Sequence, residues 1–87
     1  FSEEIKVPFV LSNKQHTYLV QMDVYDLKGI KVKTLGMNEY EAGLHSVNWN
    51  GEDESGNDVA DGMYIVKLKV TGKYLPEFLK VIVNRNH

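Results

Sequence analysis

The sequence predicts an all-β fold, namely a two-sheet antiparallel β-sandwich with six to seven short strands. Three observations lead to this prediction. Apolar and polar residues alternate along short runs, as in strands that have one buried face. Glycine, asparagine and aspartate residues separate these runs. No segment shows the apolar period of an amphipathic helix.

The first predicted strands follow from this alternation. Ile5–Leu11 has an apolar residue at every second position, and Pro8 cannot donate to a hydrogen-bond ladder, which predicts a strand at a sheet edge. Thr17–Asp26 pairs a buried face with a wet face that carries Asp23. Gly29 then supplies a turn.

The remaining strands lie between turn signals. A third strand carries Ile30, Val32 and Leu35 and is followed by a long loop. The loop is expected over Met37–Gly43. The last three predicted strands are Leu44–Trp49, Met63–Val70 and Phe78–Val83. Polar connections are predicted over Ser12–His16 and Thr71–Lys73.

Size and charge exclude several classes of function. With 87 residues the chain is one domain, residues 1–87, and the core is thin. The chain has no cysteine to form a disulfide. A net charge of -2 argues against nucleic acid and anionic membranes as partners. No apolar run approaches the roughly 20 residues of a membrane span, which argues against membrane insertion.

Two blocks of sequence carry a family resemblance. The first reads Tyr-Asp-x-x-Gly-x-x-Val from Tyr25 to Val32. The second reads Gly-x-His-x-x-x-Trp-x-Gly-x-Asp-x-x-Gly-x-x-Val-x-x-Gly-x-Tyr from Gly43 to Tyr64. Both resemble the Ig-like domain family named after the flagellar hook-capping protein. The resemblance covers most of the chain from Ile5 onward.

The resemblance implies an Ig-like or fibronectin type III-like sandwich. Such domains often form a C-terminal module of a larger secreted or cell-surface bacterial protein, and the resemblance implies this position here. The chain begins with Phe1 and not with methionine, so we expect it to be a piece of a longer protein. A related family sorts the cargo of type IX secretion. The chain departs from that relative at its first strand and in its long tail after Lys80.

The family blocks indicate residues with structural roles. Trp49 shares the inward phase of Val47 and is expected to anchor the core, although an exposed tryptophan could instead stack on a sugar. Tyr64 resembles a tyrosine corner, in which the hydroxyl bonds a nearby backbone group. The predicted structural residues are Trp49, Tyr64, Gly51, Gly56, Gly62, Tyr25, Asp26 and Gly29.

One cluster of acidic residues suggests metal binding. Asp53, Asp58 and Asp61 are weak calcium candidates, because calcium prefers grouped oxygen ligands. The alternative is a solvated turn in which aspartate side chains cap their own backbone. The sequence predicts no cofactor, no metal and no catalytic residues, since it contains no nucleophile elbow and no phosphate-binding glycine pattern.

Three functions follow from these patterns. The first is a non-catalytic spacer, stabiliser, docking or sorting module outside the cell or on its surface, monomeric in isolation, whose partners are neighbouring domains of its own parent. The second is a module that binds polysaccharide or another cell-surface polymer through an exposed row of tyrosines, namely Tyr18, Tyr25, Tyr40 and Tyr74. The third is assembly through the edge strand Ile5–Leu11.

Overall fold

Six antiparallel strands form two sheets in the computed structural model, which describes residues 5–11, 18–70 and 76–84. The strands are β1 (Ile5–Leu11), β2 (Tyr18–Tyr25), β3 (Lys31–Tyr40), β4 (Gly43–Trp49), β5 (Gly62–Val70) and β6 (Glu77–Val83). β1 and β4 form a two-stranded sheet, and the other sheet has the order β3-β2-β5-β6. The predicted all-β sandwich is confirmed. The connections predicted at 12–16 and 71–73 lie outside the described residues.

The core lies between the two sheets. Along β5, Tyr64, Val66, Leu68 and Val70 are buried, while the residues between them are exposed or half-buried. The same alternation runs along β1 and β6 because successive side chains point to opposite faces. The buried hydrophobic residues are Val7, Phe9, Leu11, Tyr18, Val20, Met22, Val24, Trp49, Tyr64, Val66, Leu68, Val70, Val81 and Val83. No helix in the described part of the chain could cross a membrane.

The predicted loop over Met37–Gly43 is wrong, because β3 continues to Tyr40 and only residues 41 and 42 separate it from β4. The end of β3 pairs with the start of β2, with Tyr18 opposite Tyr40. β3 is an edge strand of the larger sheet, and Asn38 and Glu39, just before Tyr40, are exposed and polar. Their polarity hides the strand from a reading based on alternation.

The wet face predicted for β2 is wrong at Asp23, which is only 6% exposed. Its Oδ2 accepts a hydrogen bond of 3.3 Å from Gln21 Nε2. Its Oδ1 lies 3.8 Å from Lys31 Nζ. Long polar side chains can thus cover a carboxylate on the outer face of a sheet.

Candidate functional site

An aromatic pair joins the two sheets at the ends of the β4–β5 connection. Trp49 is 1% exposed, and its ring packs edge-on against Tyr64 with centroids 5.5 Å apart. Trp49 Nε1 donates a hydrogen bond of 2.9 Å to the Glu52 carbonyl. The Tyr64 hydroxyl donates one of 2.7 Å to the carbonyl of Ala60, four residues upstream. Each ring thus contributes to the core while its polar atom holds one end of the connection.

The glycines of this connection occupy distinct places. Gly51 is buried, and its carbonyl accepts a hydrogen bond of 2.9 Å from the Val59 amide. One residue further into the connection from each side, Glu52 and Asp58 form a short antiparallel bridge. Gly62 begins β5 with a φ of +150°. The connection is therefore closed on itself by backbone hydrogen bonds.

Two five-residue turns share one geometry. We call residues 26–30 the first aspartate turn and residues 53–57 the second aspartate turn. In each, the aspartate Oδ1 accepts bonds of 2.9 and 3.0 Å from the amides two and four residues later. In each, a glycine three residues after the aspartate has a φ of +86°. Glycine adopts that conformation without the steric penalty of a Cβ atom.

The second aspartate turn also binds the edge of the larger sheet. The Glu54 amide donates a bond of 3.2 Å to the Val32 carbonyl. The Thr34 amide donates one of 2.6 Å to Glu54 Oε2. Because β3 is an edge strand, these contacts occupy backbone groups that another chain could otherwise pair with. Sequence reasoning missed this role, and its only signal is an acidic residue directly after the aspartate of the turn.

The three calcium candidates do not form a metal site in the part of the chain that the structure describes. Asp53 Oδ1 is engaged by two backbone amides of its own turn. Asp58 lies in the bridge to Glu52, and Asp61 is exposed next to β5. Among the described residues, no group of three or more histidine, aspartate or glutamate side chains is placed to hold a metal ion. The arrangement fits the capped turn.

The predicted tyrosine row is also wrong. Tyr18 is buried, at 8% exposed. Tyr25 and Tyr40 are half-buried and lie at opposite ends of the β2–β3 ladder. Tyr74 lies outside the described residues. Trp49 presents no exposed face on which a sugar could stack.

A second aromatic group lies at the other end of the sandwich. His45 packs against both Phe9 and Tyr40, with ring centroids 5.5 and 5.0 Å away. Its Nε2 donates a hydrogen bond to the Glu41 carbonyl. The rings of Phe9 and Tyr40 meet edge to face at 5.1 Å. The histidine of the family block therefore packs and bonds the backbone, across the junction between β3 and β4.

These geometries agree with the comparison with protein families. The model of the FlgD Ig-like domain matches residues 2–73. This chain belongs to the FlgD Ig-like domain family. The resemblance predicted from the two sequence blocks is therefore confirmed.

Curated relatives carry the same name. The basal-body rod modification protein FlgD of Salmonella typhimurium (strain LT2) is 31% identical over 61 residues. The protein of that name from Salmonella typhi matches equally. Each match covers 70% of this chain and 26% of the relative. The matched segment thus spans about a quarter of those proteins.

Solved FlgD structures share the fold. FlgD from P. aeruginosa superposes with a TM-score of 0.71 at 26% identity, covering 93% of this chain and 60% of that one. FlgD from Xanthomonas campestris, whose structure is described as giving insights into hook capping, has a TM-score of 0.54 at 24% identity. That match covers 93% of this chain and 67% of the other, and it supports the fold alone.

Proposed function

We propose that this chain is a non-catalytic structural module that makes protein contacts in an exported bacterial assembly of the flagellar hook type. The relatives named for basal-body rod modification, together with the FlgD domain family, support this role. The relatives are longer than this chain and match it in one domain only. Their role is therefore assigned to this chain by analogy. Localisation outside the cell is part of the same proposal.

The observation that carries the proposal is how the family's motif residues are used. Trp49 and Tyr64 pack together and hold the β4–β5 connection. Asp26 and Asp53 cap backbone amides within their own turns. His45 packs against two aromatic rings. Residues of these types in an enzyme would direct polar atoms at a substrate, whereas these polar atoms bond the backbone.

Family membership favours hook-type assembly over the sorting of secreted cargo. A sorting module would carry information for export, and deleting it would leave the remaining protein folded inside the cell. An assembly module would be exported with its parent, and its loss would stop the structure from forming. These two expectations separate in an experiment.

The test is deletion of residues 5–84 from the gene in the source organism. We expect normal export of the remaining protein, measured by immunoblotting of the external fraction, and loss of hooks, counted by electron microscopy. Trp49→Ala should lower hook numbers because it strongly destabilises the module. Leu44→Ser, at an exposed leucine of β4, is the matched control and should leave hooks normal. Normal hook numbers after deletion would contradict the proposal, and retention of the remaining protein inside the cell would favour sorting.

Pairing through an edge strand is a second candidate, and one feature supports it. β1 and β6 are edge strands, and a groove of about 340 Å³ lies between them, lined by residues 5–8 and 79–82. An added strand could pair with either edge. Light scattering across a range of protein concentrations tests pairing between copies. A constant monomer mass would exclude it.

A further inference from the structure

The outer face of the larger sheet is apolar near β6. Outward residues there should be polar if they faced only solvent. Instead Phe78 is 61% exposed, Ile82 63% and Met63 38%, and Leu27 in the first aspartate turn is 66% exposed. We call Tyr25, Leu27, Met63, Ile65, Phe78 and Ile82 the outer patch. Exposed apolar groups of this kind mark contact surfaces.

The strand register makes the outer patch continuous. Tyr25 lies opposite Ile65 on the next strand, and Met63 lies opposite Ile82. Phe78 lies opposite Lys67. A cleft of about 510 Å³ opens among Tyr25, Leu27, Ile65, Lys67 and Phe78. Its size suits one or two large side chains of a partner.

The charge around the outer patch is positive although the whole chain is acidic. The outward charged residues of β5 and β6 are Lys67, Lys69 and Lys80, against a net charge of -2 for the chain. Lys67 Nζ lies 5.9 Å from the centroid of the Tyr25 ring. A charge near an apolar cleft selects partners of opposite sign.

Two carboxylates lie near these lysines. Asp26, at the rim of the cleft, accepts two amide hydrogens of its own turn through Oδ1. Asp23 is buried on the same face beside Lys31 and Gln21. Asp23 also lies opposite Lys67. Both carboxylates keep their negative charge, but Lys31, Lys67, Lys69 and Lys80 outnumber them, so the charge on this face remains positive.

We propose that the outer patch docks a protein segment that combines large apolar side chains with carboxylates. The apolar side chains would enter the cleft beside Phe78, and the carboxylates would meet Lys67 and Lys80. This proposal deepens the proposed function and rests on it, since a structural module of an assembly needs a contact surface. A second copy of the chain fits less well. Its acidic stretch 52–61 offers only Val59 as a larger apolar residue, and Val59 is half-buried against the core.

Two synthetic peptides test the proposal, acetyl-Leu-Asp-Phe-Glu-Leu-amide and acetyl-Leu-Lys-Phe-Lys-Leu-amide. Both are titrated into the 15N-labelled chain. The acidic peptide should give saturable shifts of the Ile65, Lys67 and Phe78 amides, and it should bind about tenfold more tightly than the basic peptide. Raising the salt concentration should weaken the acidic peptide.

Matched variants locate the contact. Lys67→Glu should weaken the acidic peptide about tenfold, and Phe78→Ser should abolish the shifts. The dispersion of amide signals in the 15N spectrum shows whether Phe78→Ser folds. If it does not, Ile82→Ser replaces it as the test variant. Leu44→Ser removes a leucine of the smaller sheet that is even more exposed, at 76%, and this variant should bind like the unaltered chain.

Several results would overturn the proposal. They are the absence of saturable shifts, equal binding of the two peptides, and shifts of the same amides caused by raising the protein concentration alone. The last result would assign the outer patch to contacts between copies. Hook counts separate this proposal from the proposed function. Normal hooks in cells making Lys67→Glu or Phe78→Ser, together with loss of hooks after deletion, would overturn the outer patch alone.

Discussion

The two aspartate turns have the same internal geometry and different uses. In both, the aspartate amide donates to the carbonyl four residues later, at 3.0 Å in the first turn and 2.9 Å in the second. The first turn joins β2 to its neighbour β3 in one sheet. The second lies within the connection from β4 in one sheet to β5 in the other. A local sequence therefore determines the shape of a turn, and its surroundings determine what the turn supports.

The residue after the aspartate shows the difference most clearly. In the first turn it is Leu27, which is 66% exposed and belongs to the outer patch. In the second it is Glu54, whose amide and carboxylate both bond β3. The second turn thus protects the strand that the first turn begins. The first turn leaves its own tip available for contact.

The largest expected difference concerns the aromatic residues that precede the turns. Trp49→Ala should lower the free energy of unfolding by about 3–5 kcal/mol, because it empties a fully buried site and releases the second turn. Tyr25→Ala should lower it by about 1 kcal/mol, since Tyr25 is half-buried on the outer face. Urea unfolding followed by circular dichroism measures both. Equal losses would show that the two turns are anchored alike.

Next come the glycines, where the turns should behave alike. Gly29→Val and Gly56→Val should each cost about 1–3 kcal/mol, because a β-branched residue is strained at a φ of +86°. A Cβ atom at either position would meet no atom within 4 Å, so the cost lies in the backbone. Asparagine at either position is the control and should cost less. A neutral valine variant in thermal unfolding would refute the shared geometry.

The two turns should again differ in how much free energy of unfolding is lost when the capping carboxylate is removed. Asp53→Ala and Asp26→Ala each lose two exposed hydrogen bonds, which together contribute about 1–2 kcal/mol. Asp53→Ala should have the larger effect because it also loosens Glu54 from β3. Asn at either position keeps the Oδ1 acceptor and serves as the control. A larger loss in Asp26→Ala, measured by urea unfolding, would contradict this order.

The smallest effect on the free energy of unfolding is expected at the residue that follows each aspartate. Glu54→Ala should lower the free energy of unfolding by about 0.5–1 kcal/mol, because it leaves the Thr34 amide to water. Leu27→Ala is the matched change in the first turn and should stay within about 0.5 kcal/mol. Differential scanning calorimetry measures the loss of stability in both variants. A greater loss in Leu27→Ala than in Glu54→Ala would count against the account.

Local patterns predicted the strands and turns well, and contacts distant in sequence escaped prediction. The alternation of apolar and polar residues along β5 predicted which side chains are buried, because every second side chain faces the core. The end of β3 was missed since an edge strand need not carry apolar residues. The bond from Thr34 to Glu54 spans 20 residues, and no periodic pattern encodes it. The outer patch escaped prediction because alternation does not show whether the outward residues Phe78 and Ile82 are covered or exposed.

Hydrogen exchange at the Thr34 amide tests most directly whether the second turn protects the edge of β3. This amide donates to Glu54 Oε2 and, among the strands that the structure describes, has no neighbour on that side of β3. In Glu54→Ala it should exchange about two- to fivefold faster than in the unaltered chain, a loss of about 0.5–1 kcal/mol in local protection, while the Val66 amide in the core stays unchanged. An unchanged rate at Thr34 would show that the carboxylate does not protect this edge, and it would contradict the account.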